Sequence, residues 1–416
     1  MKKFRVLLLY ITISLFFYTS LFAQIEWIEP TDSAGWAVRS NLASVVFDNK
    51  IWILGGWDLS NYYNDIWNTT DGINWTCATP AANWSARAFH SAVVYNNQIW
   101  VMGGHEGFGH YKNDVWNSSD GINWTRVIVA ADWSMRWGHT ALAFNNKLWV
   151  LGGSDRNGLK NDIWYSTDGF TWNLADSAAG WSKRFYHASL VFDNKMWVIG
   201  GGDMDNYKND VWYSTDGINW TCAINSAPWQ GREQLSATVY DNKIWVLGGK
   251  TIDNVLNDVW YSNDGIDWFQ ANDSAGWQRR SGLTSIGYDD KLWVIGGKAQ
   301  GSYQDDVWFS SGFTGVENNP NPVAEPVTFT TTFPDPFNSE IKIAYVLAKS
   351  SPVKLSVFNR AGQKVKALIN GQQNSGVHNT QWTGKDDSDK NLRAGVYLLR
   401  LETAGCTVTK KIVKLE

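Results

Sequence analysis

The sequence repeats with a period of 48 or 49 residues, and this period constrains the fold more than any other feature. Three markers recur: a Gly-Gly pair after an apolar run, the motif Asn-Asp-(Val/Ile)-Trp, and the turn motif Asp-Gly-x-x-Trp. The Gly-Gly pairs begin at Gly55, Gly103, Gly152, Gly200, Gly248 and Gly296. Six units of short β-type runs separated by turn dipeptides predict an all-β fold with a six-bladed β-propeller.

The second unit shows how each repeat is interpreted as four antiparallel strands. Its strand-type runs cover residues 90–95, 99–102, 114–118 and 123–127. The dipeptides Asn96-Asn97 and Asp120-Gly121 stand between the first two runs and between the last two. Both dipeptides accept the positive φ that tight hairpin turns require, so each unit is predicted to be one four-stranded blade.

The sixth unit lacks its fourth-strand Trp, because the chain leaves the pattern soon after Trp308. Trp27 lies 48 residues before Trp75 and 9 before Trp36, the spacing that the other units share. We therefore expect the strand around Trp27 to complete the last blade. This closure would remove an exposed sheet edge and join the two ends of the propeller.

Residues 1–23 have the pattern of a secretory signal peptide. Lys2, Lys3 and Arg5 precede an apolar run over residues 6–17. No later run is long enough to span a bilayer, so we expect export and no transmembrane segment in the mature chain. The formal net charge of −4 argues against nucleic acid as a partner, since nucleic acid attracts basic surfaces.

After residue 312 the repeat ends and the composition changes. Residues 313–330 are rich in Pro and Asn and are predicted to be a linker, and residues 331–416 are predicted to form a small Ig-like β-sandwich. The alternating runs that support the sandwich are 341–347, 353–358, 395–401 and 407–413.

The repeats resemble Kelch repeats. The shared features are Gly-Gly after the second strand, an aromatic residue in the third-strand motif, and an Arg-x-x-His entry to the first strand, as at Arg87 and His90. The resemblance covers residues 24–312 and implies a Kelch-type propeller. Because propellers host many activities, it does not specify a function.

The tail resembles the C-terminal sorting domain of the type IX secretion pathway. The resemblance rests on short blocks in the same order, among them Pro336-Phe337-Asn338 and the segments 353–359, 394–397 and 410–414. It implies recognition by the secretion and sorting machinery of a Bacteroidetes-type Gram-negative bacterium. The product is then secreted or displayed on the outer cell surface.

Antiparallel order places the two tight turns of each blade at one rim and the longer connections at the other. The turn rim is nearly identical in all six units, whereas the loop rim varies. A ligand site usually breaks the symmetry of a repeat, so we expect it at the loop rim. The candidate binding residues there are Asn41, Trp57, Phe89, Trp137, Tyr186, Glu233 and Gln234, together with Arg39, Arg87, Arg136, Arg184, Arg232 and Arg280.

The six arginines admit two interpretations. They could bind an anion at the channel mouth, or they could brace the blades by bonding carbonyl groups and stacking on Trp. Because every unit has this arginine, the structural role is favoured.

The other candidates divide the mouth into an aromatic and a polar half. Trp57 and Trp137 lie outside the positions at which Trp repeats, as binding hot spots often do. An aromatic face beside amides and a carboxylate suits a sugar, so the predicted ligand is a glycan or a protein.

The alternative is a carbohydrate-active enzyme of the Kelch mutarotase or sialidase-like type, with Glu233 beside the arginines. No catalytic residue is assigned, because Glu233 is the only acid in these loops beside the arginines. No metal or cofactor site is predicted. His90, His139 and His187 come from separate blades, too far apart to ligate one ion.

Overall fold

The computed structural model describes residues 24–107, 109–203, 205–314, 327–333, 337–347, 350–359, 363–403 and 407–415. Every helix or strand assigned in these residues is a β-strand, which confirms the predicted all-β class. The chain divides into two compact units, residues 1–317 and 318–416. The predicted signal peptide and residues 315–326 of the predicted linker lie outside the described residues.

Residues 24–314 form six antiparallel sheets, numbered sheet 1 to sheet 6 along the chain. The first strand of the chain is β1 (Gln24–Thr31). Sheet 1 contains β2 (Ala43–Phe47), β3 (Lys50–Trp57), β4 (Tyr62–Thr69) and β5 (Thr76–Thr79). Sheet 2 contains β6 (Ser91–Tyr95), β7 (Gln98–Met102), β8 (Val115–Ser118) and β9 (Thr125–Ile128). Sheet 3 contains β10 (Thr140–Phe144), β11 (Lys147–Asp155), β12 (Gly158–Ser166) and β13 (Asn173–Asp176).

Sheet 4 contains β14 (Ala188–Phe192), β15 (Lys195–Ile199), β16 (Val211–Ser214) and β17 (Thr221–Ile224). Sheet 5 contains β18 (Ser236–Tyr240), β19 (Lys243–Leu247), β20 (Val259–Ser262) and β21 (Trp268–Asn272). Sheet 6 contains β22 (Arg280–Ser281), β23 (Thr284–Tyr288), β24 (Lys291–Ala299) and β25 (Ser302–Thr314), with β1 as its outer strand. The repeated four-stranded sheets are consistent with the blades of a propeller.

The six sheets are arranged around an axis lined by their first long strands. β2 packs on β6, β6 on β10, β10 on β14, β14 on β18, β18 on β23, and β23 returns to β2. Every first strand therefore has a neighbour on both sides.

Turn chemistry explains why the strands begin and end where they do. Asn96 and Asn97 have φ of 47° and 55°, which two-residue hairpin turns require and Asn tolerates. Gly104 has φ of 89°, and a Cβ there would lie 2.7 Å from the carbonyl oxygen of Ala88. A side chain at Gly104 would therefore clash with the backbone of the loop before β6.

Tryptophans fill the space between sheets. Five of the second-strand tryptophans cover the turn glycine of the next sheet, so that a Cβ on Gly121 would lie 2.4 Å from the ring of Trp52. A second layer pairs the Trp before each sheet with the Trp at the start of its fourth strand. Trp84 and Trp124, for example, meet edge to face with centroids 6.0 Å apart. These contacts repeat at the 48-residue period and account for the high Trp content.

β1 completes sheet 6 by pairing with β25, with Trp27 opposite Ser310. Trp27 packs edge to face on Trp277 with centroids 5.9 Å apart, which reproduces the Trp84–Trp124 contact. Ile25 is buried beside Trp245, and its carbonyl accepts a hydrogen bond from Asn272. The first strand therefore fills the outer position of the last sheet.

The second unit contains two sheets. One consists of β26 (Val327–Phe333), β27 (Ile341–Leu347) and β30 (Gly376–Trp382); the other consists of β28 (Ser351–Asn359), β29 (Lys364–Gln373), β31 (Gly395–Glu402) and β32 (Thr407–Lys414). Its core includes Phe337, Tyr345 and Trp382, all at most 1% exposed. β26 begins at Val327, within the segment that the sequence assigned to the linker.

Candidate functional site

The six loop-rim arginines are completely buried, with 0% exposure. Each guanidinium forms a two-pronged ion pair with the Asp of the Asn-Asp-(Val/Ile)-Trp motif of its own sheet, at 2.5 to 2.9 Å. The pairs are Arg39–Asp65, Arg87–Asp114, Arg136–Asp162, Arg184–Asp210, Arg232–Asp258 and Arg280–Asp306. These arginines therefore brace the loop rim within their own sheets, and none of the six has exposed surface at the mouth.

Three of these carboxylates, those of Asp114, Asp162 and Asp210, remain ionised although they are largely enclosed. Burial alone would raise the pKa of Asp114, but the hydrogen bonds and charge of Arg87 outweigh burial and hold it below its usual value. Asp162 and Asp210 behave in the same way beside Arg136 and Arg184. Each of these three pairs therefore combines one positive and one negative charge inside the propeller.

A ring of backbone hydrogen bonds surrounds the mouth of the central channel. It consists of Asn41, Phe89, Gly138, Tyr186, Gln234 and Gly282, one residue from each sheet entry, all with φ between 52° and 62°. Each N–H donates to the carbonyl of the preceding member, and Asn41 donates to Gly282, at 2.7 to 3.1 Å. This mouth ring is closed, and it requires the left-handed conformation at all six positions.

The two glycines of the mouth ring make room for their neighbours. Phe89 and Tyr186 meet across Gly138 with centroids 5.2 Å apart, and a Cβ on Gly138 would lie 3.2 Å from the Tyr186 ring. On the opposite side, the Asn41 side chain leans over Gly282, where a Cβ would lie 2.7 Å from its oxygen. The aromatic and polar members of the ring are thus separated across the mouth.

A cavity of about 120 Å³ is lined by the mouth ring and by the residues that follow each member. Those following residues are Leu42, His90, His139, His187, Leu235 and Leu283. Burial, with the neighbouring arginine, lowers the pKa of each of the three histidines to about 3, so they are neutral at ordinary pH. Among the described residues, no group of three His, Cys, Asp or Glu side chains could hold a metal ion.

A continuous cluster of rings extends outward from the mouth, and we call it the aromatic cluster. Its members are Trp57, Tyr62, Phe89, His105, Tyr111, Trp137, Phe185, Tyr186 and Tyr303. Neighbouring centroids are 4.3 to 6.2 Å apart, and Phe89 stacks on His105 at 4.8 Å. The cluster covers the loop rim of sheets 1 to 4 and reaches sheet 6 through Tyr303.

Local pairing at the loop rim explains how the cluster is assembled. The residue after each arginine forms a bridge with the residue after the Gly-Gly pair, as in Ser40 with Trp57 and Ala88 with His105. In the pairs of sheets 1 to 4 one partner is small, so the larger side chain has space to lie over the rim.

The polar half of the mouth differs from its predicted form. Gln234 and Asn41 are half-buried members of the mouth ring. Glu233, however, is only 3% exposed, and its carboxylate is held by Lys250 at 2.9 Å. The bridge between Glu233 and Lys250 directs the carboxylate between sheets 4 and 5, against Gly202, so Glu233 does not present a carboxylate at the surface.

The structure therefore brings together four predicted site residues, Trp57, Phe89, Trp137 and Tyr186. The candidates chosen from the sequence did not include five members of the aromatic cluster: Tyr62, His105, Tyr111, Phe185 and Tyr303. Two of these residues follow from comparing equivalent positions in the six units. The residue after each arginine and the residue after each Gly-Gly pair form a bridge within one sheet, as Ala88 does with His105 and Phe185 with Gly202.

Another cavity, of about 250 Å³, lies beside sheet 5 between Trp229, Trp260 and Arg279. It is near the repeated Trp and Asp residues of that sheet, whereas the aromatic cluster departs from the repeat. We therefore place the candidate site at the mouth. No helix within the described part of the chain has the length and apolar character needed to cross a membrane.

Comparison with known families gives three matches. A family model described as the KLHDC2/KLHL20/DRC7 Kelch-repeats domain matches residues 69–227 and 138–311, together more than half of the chain, and a Kelch motif model matches residues 39–68. A FlgD Ig-like domain model matches residues 335–405. No curated protein matches the chain.

Proposed function

Since this chain belongs to the Kelch-repeat domain family, we propose that its six sheets are the blades of a six-bladed propeller whose loop rim binds a partner. Kelch repeats indicate a protein-interaction propeller. The observation that carries the proposal is the aromatic cluster, because it departs from the repeat and lies beside the mouth. Clustered Trp and Tyr side chains are typical of the energetic centre of an interface.

Binding is a better account of this surface than catalysis. A mutarotase or a sialidase-like enzyme needs arginines and an available carboxylate at the mouth. The six arginines are buried in ion pairs, and Glu233 is held by Lys250 beneath the surface. No specific observation therefore favours the enzymatic alternative.

The positions of the propeller's two ends support the choice of rim. Gln24 pairs with Thr314, where β1 begins and β25 ends. Third strands run from the loop rim to the turn rim, so both ends lie at the turn rim. The chain thus enters and leaves the propeller at the rim opposite the aromatic cluster.

We also propose that residues 1–23 direct export and that the second unit is a cleavable sorting domain that leads to secretion or surface display. The support is the charged and apolar pattern of residues 1–23 and the resemblance of the tail. Deleting residues 327–416 should leave the propeller inside the cell envelope, as measured by fractionation and immunoblotting. Equal amounts of both forms in the medium or on the surface would contradict this role.

The binding proposal is tested with the fluorescently labelled full chain on cells and extracellular material of the organism that encodes it. We expect Trp137→Ala to weaken binding about tenfold or more, since it removes the ring at the centre of the cluster. Phe170→Ala is the matched control, because Phe170 is an aromatic residue 58% exposed at the turn rim. Equal affinity of the two variants would refute the assignment, provided that both unfold at the wild-type temperature.

A further inference from the structure

The aromatic cluster presents rings at the loop rim, and two of its ionisable members are uncharged at neutral pH. Burial lowers the pKa of His105 to about 4, so its ring carries no charge at neutral pH. Burial, reinforced by the charge of Glu233, raises the pKa of Tyr186 well above its usual value, so its hydroxyl stays protonated. Neither of these ionisable members of the cluster therefore contributes charge.

Seven cations beside the mouth are paired with carboxylates within the described part of the chain. The arginine guanidinium groups are paired with aspartates, and Lys250 is paired with Glu233. Lys298 lies over Tyr303, 5.2 Å from the ring centroid, at the edge of the cluster. Among the described residues, the mouth itself therefore offers a ligand carboxylate no free guanidinium. The exposed Arg156 lies in the outer loop of sheet 3, where it donates to the carbonyl of Gly109.

Backbone strain at the mouth ring is an independent sign of function. Gly and Asn fill three of its positions and adopt positive φ at little cost. Phe89, Tyr186 and Gln234 hold the same conformation with larger side chains, at φ of 56°, 54° and 52°. Such residues persist where the surroundings hold them in place and cluster at functional sites. Here their side chains provide two aromatic rings and one amide beside the mouth.

From these features we propose that the surface binds a neutral oligosaccharide, an inference that rests on the binding function proposed above. The C–H faces of pyranose rings stack on the aromatic cluster, and ligand hydroxyls reach the amides of Asn41 and Gln234. Because the cluster extends over four sheets, it accommodates several sugar units in a row. An acidic sugar would lose hydration at the mouth without gaining an arginine counter-ion there.

The test measures binding of the full chain to immobilised and to free oligosaccharides. Neutral probes are cellohexaose, maltohexaose and hexa-N-acetylchitohexaose, and acidic probes are hexagalacturonate and sialyllactose. We expect at least one neutral probe to bind, and Trp137→Ala to raise its Kd about tenfold or more. Phe170→Ala should leave the Kd unchanged, and Trp137→Phe should recover part of the affinity because it restores a ring.

Three outcomes would overturn the inference. Preference for the acidic probes would show that charge recognition dominates. A protein partner would be identified if binding to cells were abolished by protease but survived periodate, and if none of the glycan probes bound. The proposed binding function would then hold, but the proposed oligosaccharide ligand would not. Absence of binding to cells, extracellular material and all probes would remove both.

Discussion

At the residue scale, the buried arginine–aspartate pair is the most demanding feature of the propeller. Arg136 has no exposed surface, and it donates to both oxygens of Asp162 and to the carbonyl of Gly152. Transferring a guanidinium out of water costs several kcal/mol unless a counter-charge and hydrogen bonds replace the water. The pair is therefore stable only while both partners are present.

Replacing one partner should expose this cost. We expect Asp162→Asn to lower the free energy of unfolding by about 3–5 kcal/mol, because it leaves the Arg136 charge buried without a counter-charge. The matched control is Asp193→Asn, whose carboxylate is 70% exposed in its pair with Lys195 and should contribute less than about 1 kcal/mol. Urea unfolding measures both, and similar losses for the two variants would contradict the account.

The sequence predicted a bracing role for the arginines but not their partners. Arg39 pairs with a residue 26 positions ahead, and Arg87 with one 27 positions ahead, so no local pattern connects them. Glu233 was misplaced for a similar reason. Only the bridge between Glu233 and Lys250 decides that its carboxylate lies beneath the surface.

At the element scale, the turn between the third and fourth strands is organised by one carboxylate. The Asp120 side chain accepts hydrogen bonds from the backbone N–H groups of Ile122 and Asn123 and from the Asn123 side chain. Burial raises the pKa of Asp120, but these hydrogen bonds outweigh burial and lower it to about 2. Asp71 and Asp216 occupy equivalent turns, and each also has a pKa of about 2.

These turns should make stability depend on acid. A carboxyl group with a lowered native pKa stabilises the fold above its unfolded pKa of about 4, and this stabilisation is lost as the pH falls through 2. We expect the triple variant Asp71→Asn, Asp120→Asn, Asp216→Asn to be less stable than the wild type at pH 5. The difference should shrink towards pH 2, where the wild-type turn carboxyl groups are about half protonated in the native state and neutral in the unfolded chain.

The measurement is the free energy of unfolding from urea titrations at pH 5, 3.5 and 2. Asn retains an oxygen that accepts the backbone hydrogen bonds but not the acceptor for the neighbouring Asn side chain, so the variant removes the charge together with that hydrogen bond. Asp205→Asn, on an exposed loop, controls for removal of a single charge. A constant difference between wild type and triple variant across the range would show that these carboxylates do not cause the acid dependence.

Element prediction succeeded where turn residues bracket short apolar runs. In sheet 2 the predicted strand 99–102 corresponds to β7 (Gln98–Met102), since Asn96-Asn97 fixes its start. Prediction failed where the composition is misleading. β29 (Lys364–Gln373) and β30 (Gly376–Trp382) contain polar and amide-rich stretches without clear alternation, and β26 follows a Pro-rich segment that resembles a linker.

At the scale of the whole molecule, ring closure determines which contacts cooperate. The mouth ring joins all six sheets by backbone hydrogen bonds, and β1 joins the first residues of the propeller to its last sheet. Without β1, one edge of β25 would be open and Trp245 and Trp277 would lose their contacts with Ile25 and Trp27. The six similar units should consequently unfold as one and not in succession.

Deleting residues 24–31 tests this cooperativity directly. The deletion removes the buried side chain of Ile25, the Trp27–Trp277 contact and the strand pairing with β25. From the apolar and aromatic contributions alone we expect the free energy of unfolding to fall by about 3–5 kcal/mol, with a transition that broadens as sheet 6 separates from the rest.

Deleting residues 327–416 is the control, because it removes a separate compact unit and should leave the propeller transition in place. Calorimetry of the two deletion variants and of the mature chain compares the midpoint and the width of the propeller transition. A sharp, unshifted propeller transition after loss of residues 24–31 would mean that the ring does not depend on its first strand for cooperative folding.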